Sequence, residues 1–325
     1  MTGEPRHVRF RNGSIEVAGD LHLPEGFDEA GQYAALVIVT PGSSVKEQIG
    51  AVYGQKLAEH GFVALAFDPS FQGESGGEPR DLESPAARIE DVRCAIDYLV
   101  TRPFVAEHRI GLLGLCAGGG YAVSAAMTDH RVQALGTVVA VNIGRAYRQA
   151  ELKAGAIIKT LEAVGAQRTA EARGAEPRRD RWIPNSLKEA KAEGITDRDV
   201  LDAVDFYRTP RGFNANSTNR MYFRSFAQLL GYDAFCLVEE LLIQPVQIVV
   251  GGRFATTFSY EDGKTLFERA RNAEDFFVVD GAGHYDMYDK AEYVDQAIER
   301  LAVFYGRHLG GSRDQQSRGR SARIS

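Results

Sequence analysis

The chain has 325 residues, 44% of them hydrophobic and 25% charged, which suits one large α/β domain with an insertion, or two domains. A net charge of −6 argues against a basic nucleic-acid surface, and three scattered cysteines (Cys94, Cys116, Cys236) exclude a disulfide framework and a cysteine-built zinc site. No apolar run approaches a membrane span and MTGEPRHVRFRNG lacks an apolar signal core, so a reduced, cytoplasmic chain is expected.

In chain order, Ile15 to Leu23 has partial period-two patterning and ends at Pro24. Ala35 to Val39 (ALVIV) and Val63 to Phe67 (VALAF) are short apolar runs suited to strands buried on both faces. Between them, Val52, Leu57 and Ala58 fit one side of a helix over Gln48 to His60, with Gly61 as its C-cap. Ser84-Pro85 reads as an N-cap followed by proline at the first helical position. Ile89, Val92, Ile96 and Leu99 then recur at helical spacing, leaving Asp91 and Arg93 on a solvated face. Arg109 to Leu115 is a third buried strand, Ala117 to Thr128 a small-residue helix and Ala134 to Val141 a fourth strand. Strands alternating with helices predict a mostly parallel central sheet with helices on both faces.

The alternation then stops for roughly a hundred residues. Glu151 to Ala175 is alanine- and charge-rich, Arg178 to Arg181 reads as a charged turn, Ser186 to Tyr207 looks helical, and Thr196-x-x-Asp199 approximates a capping box opening its second half. Strands resume at Pro245 to Val250 and Asp275 to Val279, and a helix over Ala291 to Tyr305 closes the domain. The expected organisation is a first core part over 1–141, a mostly helical cap over 142–240, a second core part over 241–309, and a disordered tail over 310–325.

GLCAGGG, Gly114 to Gly120, sits at a strand-to-helix junction. A tight turn there lifts the central side chain above the sheet, and the helix start supplies partial positive charge and free N–H groups. Cys116 is therefore a candidate nucleophile, the alternative being a buried structural thiol in a glycine bend. His284, in the glycine loop DGAGHYDMYD after the last strand, stands where such a nucleophile finds its base; the other six histidines read as surface residues. The loop TPGSSVKEQ, Thr40 to Gln48, offers the Ser43 N–H as one oxyanion donor, with Ala117 as the other. Lys46 or Glu47 either tunes the thiol or is a helix-start charge. The acid is less clear: Asp262 is a displaced triad acid or part of a helix cap with Ser259, and Asp286 is the weaker candidate.

Other features read more plainly. GESGG, Gly73 to Gly77, lacks the lysine and helix of a phosphate cradle and reads as a turn. Trp182 is either an apolar cap contact or a substrate platform. Arg208, Arg211 and Arg220 either brace the cap or clamp a carboxylate.

These residues resemble the α/β-hydrolase superfamily near dienelactone hydrolase, and more closely a bacterial and fungal subgroup related to fungal polyketide transferases. The resemblance rests on PGSSVKEQ, FDPSFQGESGGEPR, GLCAGGGYA, YRTPRGFNANSTNR, SYEDG and GAGHYDMYDK, and spans roughly Gly19 to Tyr305. It implies an α/β-hydrolase fold with Cys116 as nucleophile, His284 as base and the Gly42-Ser43 loop as oxyanion donor. Two departures stand out: Ser43 and Ser44 replace the subgroup's glycines, and Phe254 or Ala255 stands where the triad aspartate belongs. The expected activity is cleavage or transfer of an acyl group from an ester, lactone or thioester. No cofactor or metal is required. The expected partner is a small-molecule acyl substrate, with no nucleic acid or membrane, and a homodimer is left open. The alternatives are a hydrolase-like protein that binds a ligand without turnover, and a polyketide-remodelling enzyme.

Overall fold

The computed structural model describes residues 3–150, 155–254 and 256–310. The expected disordered tail lies outside the described residues, apart from Gly310. Eight strands form the central sheet: β1 Arg6–Asn12, β2 Ile15–His22, β3 Tyr33–Val39, β4 Val63–Phe67, β5 Val105–Leu115, β6 Val132–Val138 and, after a long insertion, β9 Val246–Gly251 and β10 Ala273–Val279. Their spatial order is β1-β2-β4-β3-β5-β6-β9-β10. β1 and β2 run antiparallel to their neighbours and the remaining pairs are parallel. Side chains alternate across this sheet, so each central strand feeds two cores. Ala35, Val37 and Val39 face helices α2 Pro85–Val100, α3 Ala117–Ala126 and α10 Ser259–Arg269. Leu36 and Ile38 face α1 Ala51–Glu59 and α11 Ala291–Leu309. A sheet covered on both faces explains why ALVIV and VALAF are apolar throughout.

Local signals set most helix ends. Ser84 Oγ accepts from Ala87 N with Pro85 at the first helical position, and Gly61 adopts φ +89° just past α1. Three local expectations need correction. Arg178 to Arg181 is not a free turn: β7 (Arg179–Arg181) pairs antiparallel with β8 (Arg220–Tyr222). The N-cap before α7 (Arg198–Arg208) is Asp197, whose carboxylate accepts from Val200 N, so the capping box is displaced by one from Thr196. Asp91 is buried rather than solvated, accepting from Ser70 N, Ser70 Oγ and Asn12 Nδ2.

Between β6 and β9 lie α4 Ile143–Ala150, α5 Ala156–Ala172, β7, α6 Leu187–Ala192, α7, β8, α8 Ser225–Leu230 and α9 Val238–Leu241. This helical segment is braced onto the sheet's carboxyl ends. The Arg211 guanidinium donates to Asp289 at 2.6 Å and to Tyr285 O at 2.7 Å. Gln48 Nε2 donates to Gly212 O at 2.7 Å, and Ser217 Oγ donates to Ser43 O at 2.7 Å. Among the described residues, no helix is long and apolar enough to cross a membrane.

Candidate active site

The turn between β5 and α3 is sterically forced. Cys116 adopts φ 53° and ψ −124°, an uncommon conformation for a residue with a Cβ. Its N–H donates to Val138 O and its carbonyl accepts from Gly119 N and Val141 N, which holds the strain in place. The neighbouring glycines are required by close approach: a Cβ on Gly118 would lie 2.0 Å from Val39 O, and one on Gly114 would lie 2.5 Å from the Gly119 Cα. The thiol faces a cavity of about 190 Å³ lined by Pro41, Gly42, Ser43, Ala117, Tyr147, Trp182, Tyr207, Thr257, Tyr285 and Tyr288, among others. Burial pushes the thiol up to about 11, although the Tyr288 hydroxyl and the Ala117 N–H both favour the thiolate.

The loop from Thr40 to Gln48 is pinned by a residue that sequence reasoning missed. Arg88, buried on α2, donates to Thr40 O at 2.5 Å and to Pro41 O at 3.1 Å, fixing the loop that carries Ser43. Its charge is met by Glu83 at 3.3 Å, and it lies over the Tyr121 ring at 4.8 Å. Ser43 has φ 59° and, like Ala117, lines the cavity that Cys116 faces. Lys46 and Glu47 do not line this cavity. Burial opposes the Lys46 charge, but Asp68, Glu47 and Glu74 outweigh it and raise its pKa. Those three carboxylates form the one cluster of metal-ligand type among the described residues, and the Lys46 ammonium lies against each of them.

His284 follows β10 and is buried against the rings of Tyr285 and Tyr288, which line the cavity while His284 does not, and the loss of water pushes its imidazole down to about 3. Its Nδ1 lies 3.0 Å from Ser259 Oγ and its Nε2 lies 3.3 Å from the Tyr288 hydroxyl. No carboxylate among the described residues hydrogen-bonds the ring. The expectation for Asp262 is therefore corrected: it accepts from Asn142 N at 2.8 Å and from Arg145 Nε at 2.6 Å, tying α10 to the chain after β6. Burial raises its carboxyl to about 7 even with Arg145 against it. Asp286 points away too, to Gly283 N, Lys290 and Arg253. Phe254 is exposed and Arg253 pairs with Asp202, while Ala255 lies outside the described residues. A serine, Ser259, thus stands where a triad would place its acid.

The remaining readings resolve by contact. Trp182 donates from Nε1 to Arg220 O at 3.0 Å and covers Gly42, where a Cβ would lie 3.1 Å from its ring; it is both a cap contact and a cavity wall. Arg211 braces the cap, Arg208 donates to Ser217 O, and Arg220 is exposed on β8. Gly73 to Gly77 form part of a turn held by Arg80, which donates to Gly73 O at 2.7 Å. Among the other histidines, His22 is buried against Gly54 rather than at the surface.

A parallel sheet with an antiparallel start, a strained strand-to-helix cysteine and a histidine beyond the last strand define a hydrolase-type α/β fold. Residues 36–297 match the alpha/beta hydrolase family, and the chain belongs to it. It is 39% identical to YcjY of Escherichia coli (strain K12) over 94% of this chain and 98% of that one. It is 25% identical to the polyketide transferase grgF of Penicillium sp (86% and 90% covered). It is 26% identical to the thiohydrolase aneE of Aspergillus aculeatus (74% and 73%). Among solved structures, PA2218 from Pseudomonas aeruginosa superposes with a TM-score of 0.83 at 33% identity, covering 94% of each chain.

Proposed function

We propose that this hydrolase cleaves, or transfers the acyl group of, an ester, lactone or thioester through an acyl-enzyme on Cys116, with His284 as base. The observation that carries the reading is the strained Cys116 at a helix start, facing an apolar cavity beside Ala117 and the Ser43 loop. Attack by sulfur places negative charge on the carbonyl oxygen, and the N–H groups of Ala117 and Ser43 are the candidate donors to it. His284 takes up the thiol proton, returns it to the leaving oxygen or sulfur, and then activates water or an acceptor alcohol. With the thiol pushed up and the imidazole pushed down, both are neutral at rest, so deprotonation accompanies attack instead of preceding it. Relatives named thiohydrolase and polyketide transferase support a thioester-bound acyl group as the donor.

The test is intact-protein mass spectrometry after exposure to p-nitrophenyl acetate and an N-acetylcysteamine thioester. An adduct that is absent in Cys116→Ala supports the reading. A second reading, ligand binding or polyketide remodelling without hydrolysis, draws on the serine at the acid position of His284. Ligand binding with no acyl-enzyme from either ester would favour it.

A further inference from the structure

No hydrogen bond joins Cys116 Sγ to His284 Nε2. Tyr288 lines the cavity together with Cys116, its hydroxyl favours the Cys116 thiolate, and that hydroxyl lies 3.3 Å from Nε2. We infer that Tyr288 is a catalytic residue that relays the proton between Cys116 and His284, an inference that rests on the acyl-enzyme reading above.

The relay runs with the imidazole proton on Nδ1. A neutral imidazole that holds its proton on Nδ1 donates to Ser259 Oγ and leaves Nε2 free to accept. In that tautomer the Tyr288 O–H donates to Nε2, which leaves the phenol oxygen to take up the thiol proton. As sulfur forms its bond to the carbonyl carbon, the thiol proton passes to the phenol oxygen while the phenol proton passes to Nε2. The result is an oxyanion, a neutral phenol and an imidazolium. Collapse breaks the bond to the leaving oxygen or sulfur, which takes the phenol proton while Nε2 returns its proton to the phenol oxygen. Water then repeats the sequence on the acyl-enzyme and the proton returns to sulfur, so ester and water give acid and alcohol or thiol. Burial holds the phenol far above its ordinary pKa, so the two hops are concerted and no phenolate accumulates.

The ring is held for this role. Tyr288 is fully buried on the turn Tyr285–Tyr288 that follows His284. Its ring packs against Phe206 (centroids 5.0 Å apart), Tyr207 (6.2 Å), Tyr285 (4.9 Å) and His284 (5.5 Å). Phe206 and Tyr207 come from α7, so the cap helps aim the hydroxyl.

The test is single-turnover acylation by p-nitrophenyl acetate with enzyme in excess, run in mixtures of light and heavy water. Two protons in flight predict a bowed dependence of the wild-type rate on deuterium fraction. In Tyr288→Phe the acylation rate is expected to fall about 10²-fold and the dependence to become linear. A linear dependence in the wild type, or a Tyr288→Phe enzyme that acylates at the wild-type rate or faster, overturns the relay; the faster rate would make Tyr288 a plug over the dyad. The wild-type measurement stands even if the variant does not fold. Failure of the underlying reading looks different: Cys116→Ala would then still release p-nitrophenol at the wild-type rate.

Discussion

The two halves of the site are built to different standards. On the Cys116 side, β5, α3 and the Ser43 loop meet each demand of a strand-to-helix elbow: positive φ at Cys116, glycines that admit no Cβ, and a helix start beneath the thiol. On the His284 side, β9, α10 and the loop after β10 bury the ring behind Tyr285 and Tyr288, which line the cavity, and its Nδ1 meets a serine hydroxyl rather than a carboxylate. A carboxylate orients the imidazole and stabilises the imidazolium as it forms; a hydroxyl supplies orientation without the charge. The difference suits a thiol better than an alcohol, because sulfur attacks well with less help from its base.

The largest break in this comparison is loss of the proposed nucleophile, Cys116. Cys116→Ala is expected to reduce turnover by on the order of 10⁴-fold or more, measured as p-nitrophenol release with the acyl adduct absent by mass. Next is Arg88→Leu, which frees the Thr40 and Pro41 carbonyls and strands Glu83 as an unpaired buried charge. Breaking one partner of such a pair costs about 3–5 kcal/mol, to be read from urea unfolding. Adding Glu83→Gln should recover part of that loss, whereas additive losses would argue against the coupling.

A pH series tests the neutral pairing. With the thiol near 11 and the imidazole near 3, the acylation rate should stay level across neutral pH and fall only as pH drops toward 3. Alkylation of Cys116 by iodoacetamide should rise about tenfold per pH unit through the alkaline range. A low-pH plateau of alkylation would instead reveal a thiolate–imidazolium pair. Stability follows the same imidazole. Its folded pKa is depressed below the ordinary 6.5, so the unfolded chain binds the extra proton first. Stability should therefore fall as pH drops from about 6.5 toward 3.

What sequence reveals divides along the same line. The elbow is a local pattern, since a cysteine among glycines at a strand end carries its own geometry, and the histidine loop is nearly as local. Arg88, Ser259 and Tyr288 carry no such mark. Arg88 sits in a helix whose register looks ordinary, and only folding brings it under the Thr40 and Pro41 carbonyls, 48 and 47 residues away in sequence. Ser259 was visible in SYEDG, but the carboxylates beside it drew the assignment because a triad normally ends on one. Asp262 is indeed buried, as a functional carboxylate would be, yet its partners, Arg145 and the Asn142 N–H, come from residues 117 and 120 positions away. The edge strand β1 was missed for a different reason: RHVRFRN carries charges on a sheet edge, which hides its alternation.

The smallest effect sharpens the His284 side most. If Asp262 only ties α10 to the chain after β6, Asp262→Asn should leave kcat/KM within about threefold, because the amide still accepts from Asn142 N and no contact with His284 is lost. If it served His284 across a rearranged loop, the same change would cost several orders of magnitude, as removal of a triad acid does. The complementary variant, Ser259→Asp, places a carboxylate beside Nδ1, 3.0 Å from where the serine oxygen now sits. A neighbouring negative charge favours the imidazolium, so the acid limb of the acylation profile should move up by about one to three pH units. Together the pair assigns the third position by chemistry. Insensitivity at 262 with a displaced limb at 259 means that the base works from a serine-held ring, and that the Arg145–Asp262 pair is a brace.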